Sequence, residues 1–480
     1  METTEKIEEK GCEAGSADAS AVLPNILGTE SIPKLLLKFA VPGVISMVVN
    51  SLYNIVDQIF IGRGVGYLGN GATTVIFPMT ALAMAFVFMV GDGTASYMSL
   101  KLGEKKDEDA AKGAAAGMIG TLMVGVILFV VYNIFLEQLC RIFGASDAIL
   151  PYAVDYGRII SIGMIFFAVC GGMSSFIRAD GSPKFTMAGL LTGCIINVIL
   201  DPIMIFVCGY GVKGAAFATI VGQFVNCCMN IWYCFHMKSV KIDKKILKDS
   251  VAYIPKVMRL GVSSCLNELA IVVAMAARNN ILVHYGALSK YGEDIPITTL
   301  GITMKVFSII ISVIIGTSVG AQPIMGYNYG SRQFGRVKKT FKFVVIVTTF
   351  IMIVAFLCAQ LFPRQIIGIF GNDESDVYYE FAIRTMRIYL MLIPIGGLQV
   401  VSGIFFQALG YPAQASVLSL SKQIIFQLPA TLVLPIFMGV EGALWAGPFS
   451  DITAFILTVI MLRYYWKKIF SDENTRLNAL

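Results

Sequence analysis

Residues 35–62 read LLLKFAVPGVISMVVNSLYNIVDQIFIG. At about 1.5 Å per residue the run is long enough to cross about 30 Å of hydrocarbon. Asn50, Tyr53, Asn54 and Asp57 recur at i, i+3, i+4 and i+7, so they form one polar stripe on an otherwise apolar helix. That is the pattern of a membrane span that turns a polar face toward protein or water rather than toward lipid.

The rest of the chain repeats the apolar theme. Of its 480 residues, 56% are hydrophobic and 14% charged, against about 45–50% and about 25% in a soluble globular protein. That balance excludes a soluble domain and a disordered chain. The net charge of +6 is small, with no basic, aromatic-laced face, so nucleic acid is not an expected partner. Apolar segments fall at 35–62, 70–100, 109–136, 149–177, 183–208, 213–237, 252–285, 296–328, 337–362, 376–407, 413–437 and 440–466. The expected fold is all-α integral membrane with twelve spans, the bilayer being its first partner.

Basic residues set the orientation. One set of connections carries Lys34, Lys38, Lys101, Lys105, Lys106, Lys112, the stretches Lys238–Arg259 and Arg332–Lys342, and Lys467 with Lys468. The other set carries single residues: Arg63, Arg141, Lys213, Lys290 and Arg364. Both termini are therefore expected on the cytoplasmic side of the plasma membrane. Residues 1–32 are polar and acidic without an apolar h-region, so they read as a disordered cytoplasmic tail rather than a signal peptide. Residues 469–480 read as a second tail.

Three motifs recur at offsets of 227, 229 and 228 residues. Tyr97-Met-Ser-Leu-Lys-Leu-Gly103 matches Ile324-Met-Gly-Tyr-Asn-Tyr-Gly330. Arg178-Ala-Asp-Gly181-Ser-Pro183 matches Gln407-Ala-Leu-Gly410-Tyr-Pro412. Gly211-Val-Lys-Gly214-Ala215 matches Gly439-Val-Glu-Gly442-Ala443. The chain thus divides into homologous six-helix lobes at 33–237 and 252–468, joined by a cytoplasmic linker at 238–251. Six spans per half give both lobes the same orientation, a transporter architecture with binding at the interface between repeats.

An ionisable residue within a span costs about 2.5–3.5 kcal/mol on insertion scales. Besides Asp57, the fifth span carries Asn197 and Asp201 one turn apart, followed by Pro202, which should perturb the helix and free carbonyls. The sixth carries Thr219, Gln223 and Asn226. Interhelical hydrogen bonding explains the amides and hydroxyls, but not two carboxylates. At the repeat offsets Asp57 corresponds to Arg278, Asn197 to Phe426, Asp201 to Ala430 and Thr219 to Gly447. Packing required by the fold would tend to appear twice, whereas a coupling-ion site is needed once. Asp57, Asn197, Asp201 and Thr219 are the candidate cation site, supported by Tyr53, Asn50, Asn54 and Gln223. Paired carboxylates in low dielectric share a proton and titrate as a unit, and their hard oxygens also suit Na⁺. The expected coupling ion is H⁺ or Na⁺, with no cofactor and no other metal.

Glu268, Arg278 and Lys305 form a candidate second-lobe site, with pairing of Glu268 to Lys305 or Arg278 as the alternative; Lys422 adds another cation. Arg278 could instead snorkel to the outer interface. Asp92, flanked by glycines, reads as a helix distortion. The ten cysteines lack CxxC spacing and the two histidines lie far apart, so neither a disulfide framework nor a His-based metal site is expected.

Phe39-Ala-Val-Pro42, then Asn50-x-x-Tyr53-Asn54-x-x-Asp57, resembles the start of transporters of the MATE (multidrug and toxic compound extrusion) family. So do Ala179-Asp-Gly181-Ser-Pro183, Asn197-Val-Ile-Leu-Asp201-Pro202 and Gly214-Ala-Ala-Phe-Ala218-Thr219. The resemblance spans residues 33–468 and is nearest the MepA-like group, close to the DinF-like branch. It implies a V-shaped pair of lobes and export of amphipathic, often cationic compounds in exchange for H⁺ or Na⁺. It also implies cation-site roles for Asp57, Asn197, Asp201 and Thr219, with Tyr53 beside them. A NorM-like second site needs an acid in the tenth span, and Ile383–Gln407 has none. The expected function is a multidrug antiporter acting as a monomer, not an enzyme. The alternative is a flippase for lipids or lipid-linked sugars.

Overall fold

The computed structural model describes residues 22–65, 67–143, 149–292, 294–369 and 376–470. A short helix α1 (Val22–Thr29) precedes the first lobe: α2 (Ile32–Val65), α3 (Tyr67–Gly103), α4 (Asp107–Ile142), α5 (Leu150–Ala179), α6 (Pro183–Pro202) and α7 (Gly211–Cys234). The linker carries α8 (Lys244–Asp249) and a 3₁₀ turn at Ser250–Tyr253. The second lobe contains α9 (Ile254–Ala287), α10 (Asp294–Gly330), α11 (Phe334–Leu361), α12 (Pro363–Ile369), α13 (Asp376–Tyr389), α14 (Ile393–Ala408), α15 (Pro412–Leu420), α16 (Leu428–Met438) and α17 (Val440–Ile469). Among the described residues eleven helices are long and apolar enough to span a membrane, and α13 with α14, taken together, makes a twelfth span bent by 47°. The single span expected at 376–407 is therefore broken, at Leu390–Leu392. Pro394 has no N–H to continue the helical ladder across that point.

The repeat is written into the backbone. Helices α2 and α9 are each 34 residues long, and α3 and α10 each 37. The left-handed positions Gly181 and Gly410 (φ 85° and 83°) terminate α5 and α14 at matching places, and Pro183 and Pro412 then open the next helices. Lys105 and Arg332, with φ 59° and 57°, occupy equivalent turns after α3 and α10. The motif glycines 211 and 439 share positive φ as well.

Residues 22–32 depart from the expected disordered tail, whose residues 1–21 lie outside the described residues. Helix α1 docks on the end of α10: Leu27 is buried, and Asn328 Nδ2 and Arg336 Nη2 donate to its carbonyl at 2.9 and 3.1 Å. Arg336 also reaches the Glu30 carbonyl, at 2.7 Å. The packed side chains of Ile26 and Leu27 and these donors, which satisfy carbonyls at the end of α1, explain the ordering. Residues 471–480 of the expected C-terminal tail are likewise outside the described residues.

Asp180 ties the linker to the first lobe. Its carboxylate accepts hydrogen bonds from Tyr233 Oη (2.7 Å) and from the Lys238 and Ser239 N–H groups (both 2.8 Å). Asp180→Ala is expected to leave the Lys238 and Ser239 N–H groups unpaired, while Tyr233 Oη keeps Ser182 Oγ at 2.6 Å, and to destabilise the protein by about 3 kcal/mol. Melting of the detergent-solubilised protein checks this, as a fall in Tm of roughly 5 °C or more.

The lobes meet along α2 and α3 on one side and α10 and α9 on the other. Small residues allow backbone-to-backbone approach. A Cβ on Gly43 would lie 2.7 Å from the Gly316 carbonyl oxygen. Gly261 abuts the Met89 carbonyl, Gly93 the Val257 carbonyl, and Gly103 abuts Gly330 and the Tyr327 carbonyl. These contacts lie in the half of the bundle that holds the α3–α4 and α10–α11 turns. Near mid-helix, Ser51 and Ser312 hydroxyls hydrogen-bond at 2.8 Å.

Candidate functional site

Helices α2, α5, α6 and α7 surround a polar cluster inside the first lobe. Asp201 is fully buried and Asn197 is 2% exposed. Pro202 ends the regular α-helix there, and Ile203–Val207 continue as a π-turn in which the Cys208 N–H reaches back to the Ile203 carbonyl at 2.9 Å. The perturbation expected at Pro202 thus lies directly beside the carboxyl. Asn197 Nδ2 donates to Asp201 Oδ1 at 3.4 Å and to Thr219 Oγ1 at 3.2 Å. Tyr53 Oη lies 3.4 Å from Thr219 Oγ1. Asp57 reaches across from α2 into hydrogen-bonding contact with the Asp201 carboxyl. Two carboxyl groups make that contact only with a proton, or a small cation, between them.

Three oxygens in this cluster have no donor among the described residues: Asp57 Oδ1, Asn197 Oδ1 and Asp201 Oδ2. Buried oxygens without partners are costly. With the hydroxyls of Tyr53 and Thr219 they form a set of hard ligands suited to Na⁺, while the carboxyl pair suits H⁺. Among the described residues no group of three His, Cys, Asp or Glu side chains could hold another metal.

The supporting residues divide. Tyr53 joins the cluster. Asn50 is half-buried on the same helix. The Asn54 side chain lies outside the described residues. Gln223 turns toward α5, its Oε1 lying 3.3 Å from where a Cβ on Gly163 would sit. Tyr156 of α5, buried, is electrostatically coupled to Tyr53, Asp57 and Asp201 and was not singled out from the sequence.

Glu268, Arg278 and Lys305 are not brought together. Arg278 does not snorkel: it is 5% exposed inside the second lobe, and its Nη1 donates to Tyr389 Oη at 2.9 Å. Lys305 is exposed on α10. Glu268 is half-buried on α9 and feels Asp92 instead of either cation.

Asp92 does not distort α3, which is helical throughout Tyr67–Gly103, Pro78 included. Its glycine neighbours permit close packing, Gly91 against Gly172 and Gly93 against Val257. Asp92 Oδ1 accepts from Ser175 Oγ and Oδ2 from Ser264 Oγ, both at 2.8 Å. Arg178 Nη2 donates to Ser175 Oγ at 3.1 Å, and Gln407 Nε2 to Ser264 Oγ at 3.0 Å. Ser175 and Arg178 belong to the first lobe, Ser264 and Gln407 to the second, so Asp92 is the hub of a polar network linking the two.

The MatE family model matches residues 42–203 and 281–433, covering most of both lobes. The chain belongs to the MatE family. It is a multi-pass membrane transporter. The multidrug export protein MepA of Staphylococcus haemolyticus is 26% identical over 449 residues, covering 92% of this chain and 96% of that protein. MepA of Staphylococcus aureus strain MRSA252 is 23% identical over 414 residues, covering 86% and 89%. Among solved structures, a MOP superfamily transporter from Pyrococcus furiosus superposes with a TM-score of 0.86 at 21% identity, covering 92% of this chain and 98% of that one. A MATE family transporter in an outward-facing conformation gives 0.83 at 21% identity with the same coverage. At that identity these structures support the MatE fold alone. The first matched stretch of the family model contains Asp57, Asn197 and Asp201, and the second begins beyond Arg278.

Proposed function

We propose that this MatE transporter exports amphipathic, mainly cationic organic compounds in exchange for H⁺ or Na⁺ bound at Asp57, Asn197, Asp201 and Thr219. The observation that carries the reading is the Asp57–Asp201 contact, surrounded by unpartnered buried oxygens and absent from the equivalent place in the second lobe. Names of the MepA relatives support multidrug export. The basic residues support the orientation: Lys101, Lys105 and Lys106 around the end of α3 and Arg332 and Arg336 around the α10–α11 turn favour a cytoplasmic place for the joined end of the lobes. On this reading the lobes close toward the cytoplasm and the protein sits in the plasma membrane.

In the proposed cycle, an ion entering from outside neutralises the carboxyl pair and draws α2 toward α6 and α7. Pro42 gives α2 a place to bend, since it contributes no N–H to the ladder, and Ser46 Oγ donates to its carbonyl at 2.8 Å. An ion moving inward across 100 mV releases about 2.3 kcal/mol per charge. Exchange requires ion and substrate to prefer different states of the lobes.

The test is efflux of a fluorescent lipophilic cation from proteoliposomes under a pH gradient or a sodium gradient imposed separately. Gradient-driven efflux that disappears in Asp57→Asn supports the antiporter and identifies its ion. Wild-type and Asp57→Asn proteins that respond equally to the gradient would sink it.

A further inference from the structure

The second lobe holds a cation where the first holds Asp57. Arg278, on α9, occupies the repeat position of Asp57. It is 5% exposed, its guanidinium carbon is 5.8 Å from the Tyr389 ring centroid, and its Nη1 donates to Tyr389 Oη. Its Nε has no acceptor among the described residues. Gly447 of α17, the counterpart of Thr219, lies against the Tyr389 ring, and Phe307 of α10 meets that ring edge-on at 6.2 Å.

The neighbouring acid is already occupied. Lys422 Nζ contacts Asp451 Oδ1 at 2.8 Å, with side chains 17% and 13% exposed. Lys422 sits on a π-helical stretch, Ser421–Gln427, and bears electrostatically on Tyr389. Asp451 corresponds to Gln223 of the first lobe. Among the described residues, these two cations and one carboxylate leave one positive charge over, in a region where an uncompensated charge is costly.

We propose that the interior of the second lobe binds a singly charged anion at Arg278, with Tyr389 orienting the guanidinium and the Lys422–Asp451 pair forming the wall. The shared ligand chemistry is one negative charge that accepts from the guanidinium: a free halide, or a carboxylate carried by an organic molecule, which fits the planar fork of Arg. A cation in the first lobe and an anion in the second would let one transporter read both charge types in separate places.

The test uses the full chain purified in non-ionic detergent, melted in isethionate, chloride or benzoate at constant ionic strength. Binding to the folded state raises Tm by mass action, and the expected shift is about 2 °C. A response to chloride identifies a free halide, and a response to benzoate alone identifies an organic carboxylate. Arg278→Gln is expected to lose the response and Arg278→Lys to keep part of it. Asp451→Asn releases Lys422 and is expected to tighten binding, lowering the half-maximal anion concentration severalfold, which decides the matter even where Arg278→Gln does not fold. No shift with either anion, an unchanged shift in Arg278→Gln, or an unchanged midpoint in Asp451→Asn overturns the proposal. Because the readout is binding, it stands apart from any transport result.

Discussion

Asp201→Asn is expected to reduce gradient-driven efflux roughly a hundredfold, the upper range of typical coupling energies, while changing substrate affinity without a gradient by less than about threefold. The substitution is nearly isosteric, and its amide oxygen can still accept from Asn197 Nδ2 as Asp201 Oδ1 does. What it removes is ionisation. Asp57 then faces an amide and no longer shares a proton with a second carboxyl, and a sodium ion at this place loses one formal negative ligand. A ligand shifts a conformational equilibrium only by its differential affinity for the two states, so the loss of ion binding removes the driving force. Thr219→Val removes one weakly held oxygen and should cost far less, about 1 kcal/mol in ion binding. Efflux and ion uptake measured on the same proteoliposomes check both. Full coupling in Asp201→Asn would place the ion elsewhere.

The first-lobe cluster was legible because helix periodicity aligns Tyr53 with Asp57 and Asn197 with Asp201 on their own helices, and because carboxyls stand out among apolar neighbours. Tyr156 carried no such signal: an aromatic side chain in an apolar helix reads as packing. Asp92 failed for a different reason. Its glycine neighbours suggested a local distortion, whereas its partner Ser264 lies 172 residues away, a distance no periodicity connects. The expectation that structural polar groups recur in both lobes also has an exception in Asp180. Its repeat counterpart is Leu409, yet its role is to fasten a linker that follows only the first lobe. Uniqueness within a repeat therefore marks a residue as specialised without saying for what. Asp57 and Asp201 are set apart by their contact with each other and their unpartnered oxygens.

The second large effect is expected from Asp92→Ala, which should lower transport more than tenfold without altering ion binding in the first lobe. Asp92 holds the lobes together at one end through Ser264, and Gln407 reaches the same hydroxyl from α14. Removing a charged acceptor from such a pair costs about 2 kcal/mol, roughly thirtyfold in the ratio of joined to separated states. Arg178 also loses the carboxylate that balances it, and its Nε already lacks an acceptor among the described residues. The variant therefore favours lobes parted at this end. The glycine contacts nearby give the complementary lever: a Val at Gly261 would run into the Met89 backbone and should part the lobes at the same place. A thiol-reactive probe at Leu100→Cys, a half-buried position of α3 that meets Gly330 and Gly410 of the second lobe and lies outside the network, should label faster when Asp92→Ala or Gly261→Val is added. Asp92→Asn, which can still accept from one serine, should fall between wild type and Asp92→Ala. Equal labelling rates in all of them would mean that the network does not govern how the lobes close, and that its serines and carboxylate only fill the interface.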